Sequence, residues 1–134
     1  MSIQSRDQQR AAHAIKCIEK IQKDKQLKNS TIKSAVNGLP AMIHMNGLGH
    51  AFAYFLTDPK AFPERKKIAD TVFDWLKNNS QVYDGLSEHS SLTALNAVTK
   101  SDLKTHQVAQ QEAQAYLLWL KKFARALLDD DEND

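Results

Sequence analysis

The run LPAMIHMNGLGHAFAYFL, residues 39–56, constrains this chain most. It is the most apolar stretch, yet it holds a proline, two glycines, two histidines and an asparagine. A membrane-spanning helix needs about 20 predominantly apolar residues. Here His44, Asn46 and His50 would sit near the bilayer centre, each at a cost. The run therefore reads as protein core, because a helix that is apolar nearly all round is one that other helices surround. Pro40 lacks an N–H and crowds the preceding turn, which predicts a kink or a fresh first turn near 37–39. Asn46-Gly47 reads as a helix stop, since glycine takes the left-handed conformation without penalty.

Helical periodicity extends on both sides of this run, and no segment alternates as a strand would. Over residues 3–28, Ile3, Ala11, Ala14, Ile15, Ile18 and Ile21 share a sector about 120° wide at 100° per residue. Arg6, Arg10, His13, Cys17, Lys20 and Lys28 form a separate stripe, with Lys16 and Lys23 beside it. KNST at 28–31 predicts a break with Ser30 or Thr31 as N-cap of a helix to about 45. A short helix follows through Leu48, Phe52, Phe55 and Leu56. Another spans roughly 60–79, with Ile68, Ala69, Val72, Phe73, Trp75 and Leu76 on one face. Residues 78–91 form the longest expected loop, with turn chemistry at Asp84-Gly85. A helix over 91–98 precedes a last helix, capped by Ser101 or Asp102 and running to about 128. Its expected core sector is Ala109, Ala113, Tyr116, Leu120, Phe123 and Leu127. The sum is an all-α fold: a compact single-domain bundle of about six helices over 1–128, with a Pro/Gly break in the 31–57 region. Residues 129–134 are expected to be a disordered acidic tail.

That tail masks the charge of the body. The chain carries +2 overall, but five of its 16 acids lie in 129–134. Residues 1–128 hold all 18 bases against 11 acids, a surplus of seven. A basic body suits a polyanionic partner and is also ordinary for a soluble domain. The single cysteine, Cys17, excludes an internal disulfide. The polar start MSIQSRDQQR shows no signal peptide, so a reducing, cytoplasmic setting is expected.

Reaction chemistry is thinly represented. NGLGHA has two glycines and no preceding strand, so it is not a phosphate loop. The histidines at 13, 44, 50, 89 and 106 raise the question of a metal. His44 and His50 would point about 120° apart on one helix, and only His13 and Cys17 share a face at i, i+4. Two ligands do not make a zinc site, and neither a metal nor a cofactor is expected. Cys17 beside His13 could also suggest a thiolate nucleophile, but no base-orienting group or oxyanion hole is evident. The chain is read as not an enzyme.

Surface recognition remains. Arg10, Lys16, Lys20 and Lys23 on the first helix, whose cations extend along about 30 Å, form either a solvated face or one that tracks phosphates or meets an acidic partner. His44 and the last helix's Lys121, Lys122 and Arg125 join them as candidate contact residues. Gln107, Gln111 and Gln114 line that helix's outer face, with Leu118 outward among them and Trp119 at the edge of the core. An apolar side chain ringed by polar ones is how a protein contact looks, so Leu118 and Trp119 are the protein-contact candidates.

Three segments, QQRAAHAIKCIEKI at 8–21, LPAMIHMNGLGHAFAYFL at 39–56 and EAQAYLLWLKKFARALL at 112–128, resemble the small helical subunit of the type III-B (Cmr) CRISPR effector complex. Their order and the chain length fit that family. His44 departs from the basic residue expected before Asn46-Gly47, and the acidic tail is outside the pattern. The resemblance implies a non-catalytic structural subunit of antiviral defence. Several copies would stack beside the guide-RNA backbone subunits and line the groove where target RNA pairs with the guide. Its implied partners are other subunits of the effector, the guide–target RNA duplex or target RNA, and further copies of itself, with no membrane. Two other classes stay open on the residues alone: a free-standing protein–protein adaptor, and a small enzyme using His13 and Cys17.

Overall fold

The structure is a computed structural model, and it describes residues 4–80, 82–83 and 90–130. Six α-helices account for the architecture: α1 (Arg6–Lys23), α2 (Asn29–Asn46), α3 (Leu48–Phe55), α4 (Pro63–Asp74), α5 (Ser91–Lys100) and α6 (Leu103–Leu127). A π turn, Trp75–Asn79, continues α4. No strand occurs among the described residues. The Asp84-Gly85 turn lies outside them, as do His89 and residues 131–134.

The longest helix, α6, is the spine. Its contacts with α1 pair residue 10 with 112, 13 with 116 and 22 with 127, so the two helices run in the same direction. Its contacts with α2 pair 40 with 114 and 29 with 129, so those two run antiparallel. Between them lies one core that includes Ile18, Ile21, Ile32, Leu39, Phe52, Ile68, Phe73, Trp75, Tyr116 and Leu120. On α6 the buried stripe is Ala109, Ala113, Tyr116, Leu117, Leu120 and Ala124. Phe123 and Leu127, expected in the core, are only half-buried, because the stripe drifts toward Leu117 and Ala124 as α6 leans on α1.

The ends of the helices follow local chemistry in some places and tertiary chemistry in others. Ser5 caps α1 with a reciprocal capping box: its hydroxyl accepts the Gln8 N–H while the Gln8 side chain accepts the Ser5 N–H. Asp102 caps α6 as expected, accepting the Thr105 N–H at 2.8 Å. The α2 terminus does not behave as expected. Its N-cap is Lys28, not Ser30 or Thr31, and no local side chain caps it. Instead the buried Glu64 of α4 accepts the Lys28 N–H at 3.0 Å, placing a carboxylate at the positive end of the helix. Lys28 thus leaves the α1 stripe, since the chain turns at 24–28.

Nor does α2 restart near 37–39. It runs unbroken from 29 through Pro40 to 46. Loss of one backbone donor is outweighed by a buried face of Ile32, Ala35, Val36, Leu39 and Ile43, and Gln114 of α6 donates to the Pro40 carbonyl at 2.9 Å. The break in the apolar run falls at Gly47 alone, where φ is 89°. There Gln110 of α6 accepts the Leu48 N–H at 2.9 Å. At the other end of the fold, α6 closes with Leu128 buried, and the chain turns back onto α2. The Asn29 amide donates to the Asp129 carbonyl at 2.9 Å, and Lys33 pairs with Asp130 at 3.1 Å.

Leu120 is fully buried and Leu118, two residues earlier, is 61 % exposed. Leu120→Ala is expected to cost about 2–5 kcal/mol of stability in denaturant titrations. Leu118→Ala is expected to stay within about 0.5 kcal/mol. Equal losses would reverse the inner and outer faces of α6.

Candidate functional site

The polar residues of α1 divide into two sets, and Lys20, which the sequence places on the stripe of Arg10, His13 and Cys17, falls with Lys16 and Lys23. Arg10, His13 and Cys17 turn inward, toward α6 and the π turn. The Arg10 guanidinium grips Glu112 with two hydrogen bonds, Nε–Oε1 at 2.8 Å and Nη2–Oε2 at 2.9 Å. The Trp75 indole N–H donates to the same Oε1 at 2.9 Å. Burial alone would raise the Glu112 pKa, but the bonds from Arg10 and Trp75 outweigh it and hold the carboxyl below its ordinary value of 4.5. Arg10 also reaches Asp7 at 3.1 Å. A candidate contact residue is thereby committed to the interior, where its charge is matched.

His13 lies one turn further along. Its Nε2 is 2.7 Å from Asp74 Oδ2, and its Nδ1 is 2.6 Å from the Tyr116 hydroxyl. Trp75 and Tyr116 stack nearly parallel, 6° apart, and His13 meets both rings edge-on. Burial depresses the His13 pKa, yet the hydrogen bonds to Cys17 and Asp74 prevail and raise it. Burial pushes the Tyr116 hydroxyl well above its ordinary range. The π turn makes this seam possible. It closes with the Ser80 N–H on the Trp75 carbonyl, and Arg6 donates to the Ser80 carbonyl, at 2.9 and 3.0 Å.

The base-orienting group that the sequence did not reveal is therefore Asp74, and Cys17 Sγ stands 3.6 Å from His13 Nδ1. The order sulfur, imidazole, carboxylate is that of an activated thiol. Two features work against that use. Tyr116 holds the same Nδ1 at a much shorter distance. Cys17 also sits mid-helix, where backbone N–H groups are consumed by the helix and none can form an oxyanion hole. Among the described residues no group of three or more His, Cys, Asp or Glu side chains is disposed to hold a metal ion. No described helix is long and apolar enough to cross a membrane.

The outward set is Lys16, Lys20 and Lys23, all exposed and without a hydrogen-bond or ion-pair partner among the described residues. Lys16 borders a cleft with His13, Trp75 and Asn79. Lys20 borders a depression of about 310 Å³ with Cys17, Lys67, Asp70, Thr71 and Asp74. This face of α1 therefore looks out over α4 and the π turn, and it is not uniformly positive.

The α6 candidates divide between the side shared with α2 and the side of α1. His44 and Gln111 are exposed and border a shallow cleft with Ile43, Gln110 and Gln114. Leu118 lies beyond them, with Lys121, Lys122 and Arg125 one or two turns on. Lys122 stands 5.2 Å above the Trp119 ring. Trp119 turns toward α1, donates its indole N–H to Asp7 at 3.0 Å and stacks on Phe123. The structure thus brings His44 together with the α6 outer face, keeps the α1 lysines apart from it, and withdraws Arg10 inside. The buried seam went unread because its partners, 37 to 103 residues apart, share no local pattern.

Six helices packed on one core, with no strand among the described residues, define a class: a small all-helical single-domain protein. The chain matches the model of the CRISPR-associated protein (Cas_Cmr5) family over residues 6–127, and it belongs to that family. Its fold is similar to the crystal structure of a CRISPR-associated Cmr5 family protein from Thermus thermophilus, with a TM-score of 0.75 and 18 % identity. The match covers 94 % of this chain and 100 % of that one, and at this identity it speaks to the fold. Membership makes the chain a Cmr-type CRISPR-associated protein, a subunit of the Cmr complex.

Glu112→Gln is expected to cost about 1–3 kcal/mol at neutral pH by leaving Arg10 poorly matched. In the wild type the native Glu112 pKa lies below the unfolded value of 4.5, so its contribution is present above that pH. The contribution is lost as pH falls through the native value, and the variant's melting temperature should fall less over that acid window. His13 has the opposite sign. Its raised native pKa gives stability that is complete below the unfolded value of 6.5 and is lost as pH rises through the native one. His13→Gln should flatten that alkaline decline in a series of thermal melts.

Proposed function

We propose that this chain is a non-catalytic structural subunit of a type III-B CRISPR ribonucleoprotein effector, working in the cytoplasm. Several copies stack beside the guide-RNA backbone subunits, and their row lines the groove that receives target RNA. The observation that carries the reading is the set of unmatched cations. Lys16, Lys20 and Lys23 on one face and Lys121 and Arg125 on another make no hydrogen bond or ion pair among the described residues, while Lys122 lies over Trp119 and acts on Asp7 only at longer range. Membership in the Cas_Cmr5 family gives those cations a ribonucleoprotein to serve. Base pairing supplies sequence information in such an assembly, so the protein needs only charge and shape toward the backbone.

A protein-contact reading of one face has its own support. Leu118 is 61 % exposed between Gln111 and Gln114 on one side and Lys121, Lys122 and Arg125 on the other. This is a polar-rimmed apolar spot of the kind that neighbouring subunits cover. Contact of this spot with a subunit is compatible with RNA contact at the α1 lysines. A free-standing adaptor would use both faces on acidic proteins and bind no RNA.

Charge reversal separates these readings. Lys121→Glu with Arg125→Glu, or Lys16→Glu with Lys20→Glu, is expected to reduce co-purification with the Cmr complex or to weaken RNA binding. Thermal unfolding should move by no more than about 0.5 kcal/mol, because these are surface changes. RNA affinity that falls steeply with salt fits a phosphate-tracking face. Unaltered assembly and unaltered RNA affinity in both double variants would remove the assignment.

A further inference from the structure

We propose that Tyr54, Phe62 and Arg65 form a stacking site for one nucleotide of single-stranded RNA. The Arg65 guanidinium carbon lies 5.0 Å from the centre of the Tyr54 ring and 4.2 Å from that of Phe62. These two aromatics are 47 % and 39 % exposed, so ring area on both is open to a ligand. The guanidinium has no hydrogen-bond or ion-pair partner among the described residues, so its N–H donors remain available. Behind it opens a pocket of about 200 Å³ lined by Thr31, Ser34, Gly38, Met42 and Tyr54. Gly38 leaves the pocket floor clear, since a Cβ there would meet nothing within 4 Å.

The parts are held in place by the backbone. Asp58, at φ 47°, and Pro59 turn the chain after α3, and the Asp58 carbonyl accepts the N–H groups of Ala61 and Phe62 at 3.1 and 3.0 Å. That fixes Phe62 immediately before α4, and Arg65 follows one helical turn later. The guanidinium is thus already ordered by its two rings, which lowers the entropy that a bound phosphate would otherwise have to oppose. The ring area that Arg65 does not cover suits any base, an ordered guanidinium suits the adjoining phosphate, and the Thr31 and Ser34 hydroxyls, which have no protein partner among the described residues, suit a sugar hydroxyl. An acidic protein segment would satisfy the guanidinium but would leave the rings and the small pocket unused. The body's surplus of seven bases favours a polyanion in either case.

This inference rests on the RNA-lining role and adds a base-stacking point to it, away from the α1 and α6 faces. The test uses the full chain and a labelled short oligouridylate carrying 4-thiouridine, titrated at several salt concentrations. Tyr54→Leu is expected to weaken binding about tenfold, the range of one base–aromatic stack, without changing the salt slope. Arg65→Gln should reduce the slope by about one phosphate contact. Tyr54→Phe should restore affinity, and irradiation should crosslink the probe to Tyr54 or Phe62. Tyr54 and Phe62 are exposed and Arg65 is half-buried without a hydrogen-bond or ion-pair partner among the described residues, so melting temperatures should move little. If Tyr54→Leu leaves affinity unchanged while the Lys121→Glu, Arg125→Glu pair reduces it, the stacking site is wrong and the groove-lining role stands. If polyglutamate displaces the probe as well as unlabelled RNA does, the site serves an acidic protein and the inference falls. If the wild-type chain binds no oligonucleotide at all, both readings fall together.

Discussion

The Arg10–Glu112 ion pair, with Trp75 donating to the same carboxylate, is the interaction on which the rest of this fold depends. It joins α1, α6 and the π turn through one carboxylate whose accepting capacity is well used. Buried charge is costly when unmatched and tolerable when every donor has its acceptor. The same logic continues one turn along, where His13 bridges Asp74 and Tyr116. Together these contacts fix how α1 rotates about its axis. Isoleucines alone could tolerate a small rotation, whereas a two-pronged guanidinium and a bridging imidazole cannot.

That fixed rotation decides which cations are left for partners. With Arg10 and His13 turned inward, Lys16, Lys20 and Lys23 must face away. On α6 the inward positions of Glu112 and Tyr116 likewise force Leu118 and Arg125 outward. A rigid interior of matched polar groups therefore produces a surface whose charges are unmatched by construction. A charge that has no partner at home can be neutralised by a phosphate or a neighbouring subunit without first breaking an internal bond. The acidic end of the chain acts on the same balance, with Asp130 taking Lys33 out of the unmatched set.

Much of the architecture was legible in periodicity. The isoleucine spacing of α1, the stop at Gly47, the Asp102 cap and the reach of α6 all follow from local rules that act within a turn or two. The misreadings share one cause: a distant residue replaced the local determinant. Glu64 capped α2 from another helix, so Ser30 and Thr31 had no cap to make. Buried side chains and Gln114 carried α2 through Pro40. Of the stripe read on α1, Lys28 lies beyond the helix and Lys20 faces outward, and periodicity cannot distinguish a charged side chain facing solvent from one facing a buried carboxylate. That is why Arg10 looked like a surface cation. The three segments that resemble the family lie on α1, on α2 with α3, and on α6, which together supply most of the buried core.

The aromatic–arginine cluster at Tyr54, Phe62 and Arg65 illustrates the limit in the other direction. Tyr54 ends α3, Phe62 precedes α4, and the turn between them is set by a left-handed aspartate before a proline, so no helical period links the two rings. Each ring taken alone would read as an ordinary hydrophobic residue near a helix end. Only the turn brings them onto one guanidinium, and only the small residues of α2 leave space beside it. The core explains why α3 and α4 are adjacent, because Phe52, Phe55, Ile68 and Val72 all join it. It does not require Tyr54 and Phe62 to be large, since both lie outside it. The aromatic area left exposed at this turn, beside a guanidinium with no ion-pair partner among the described residues, is what the proposed nucleotide contact would cover.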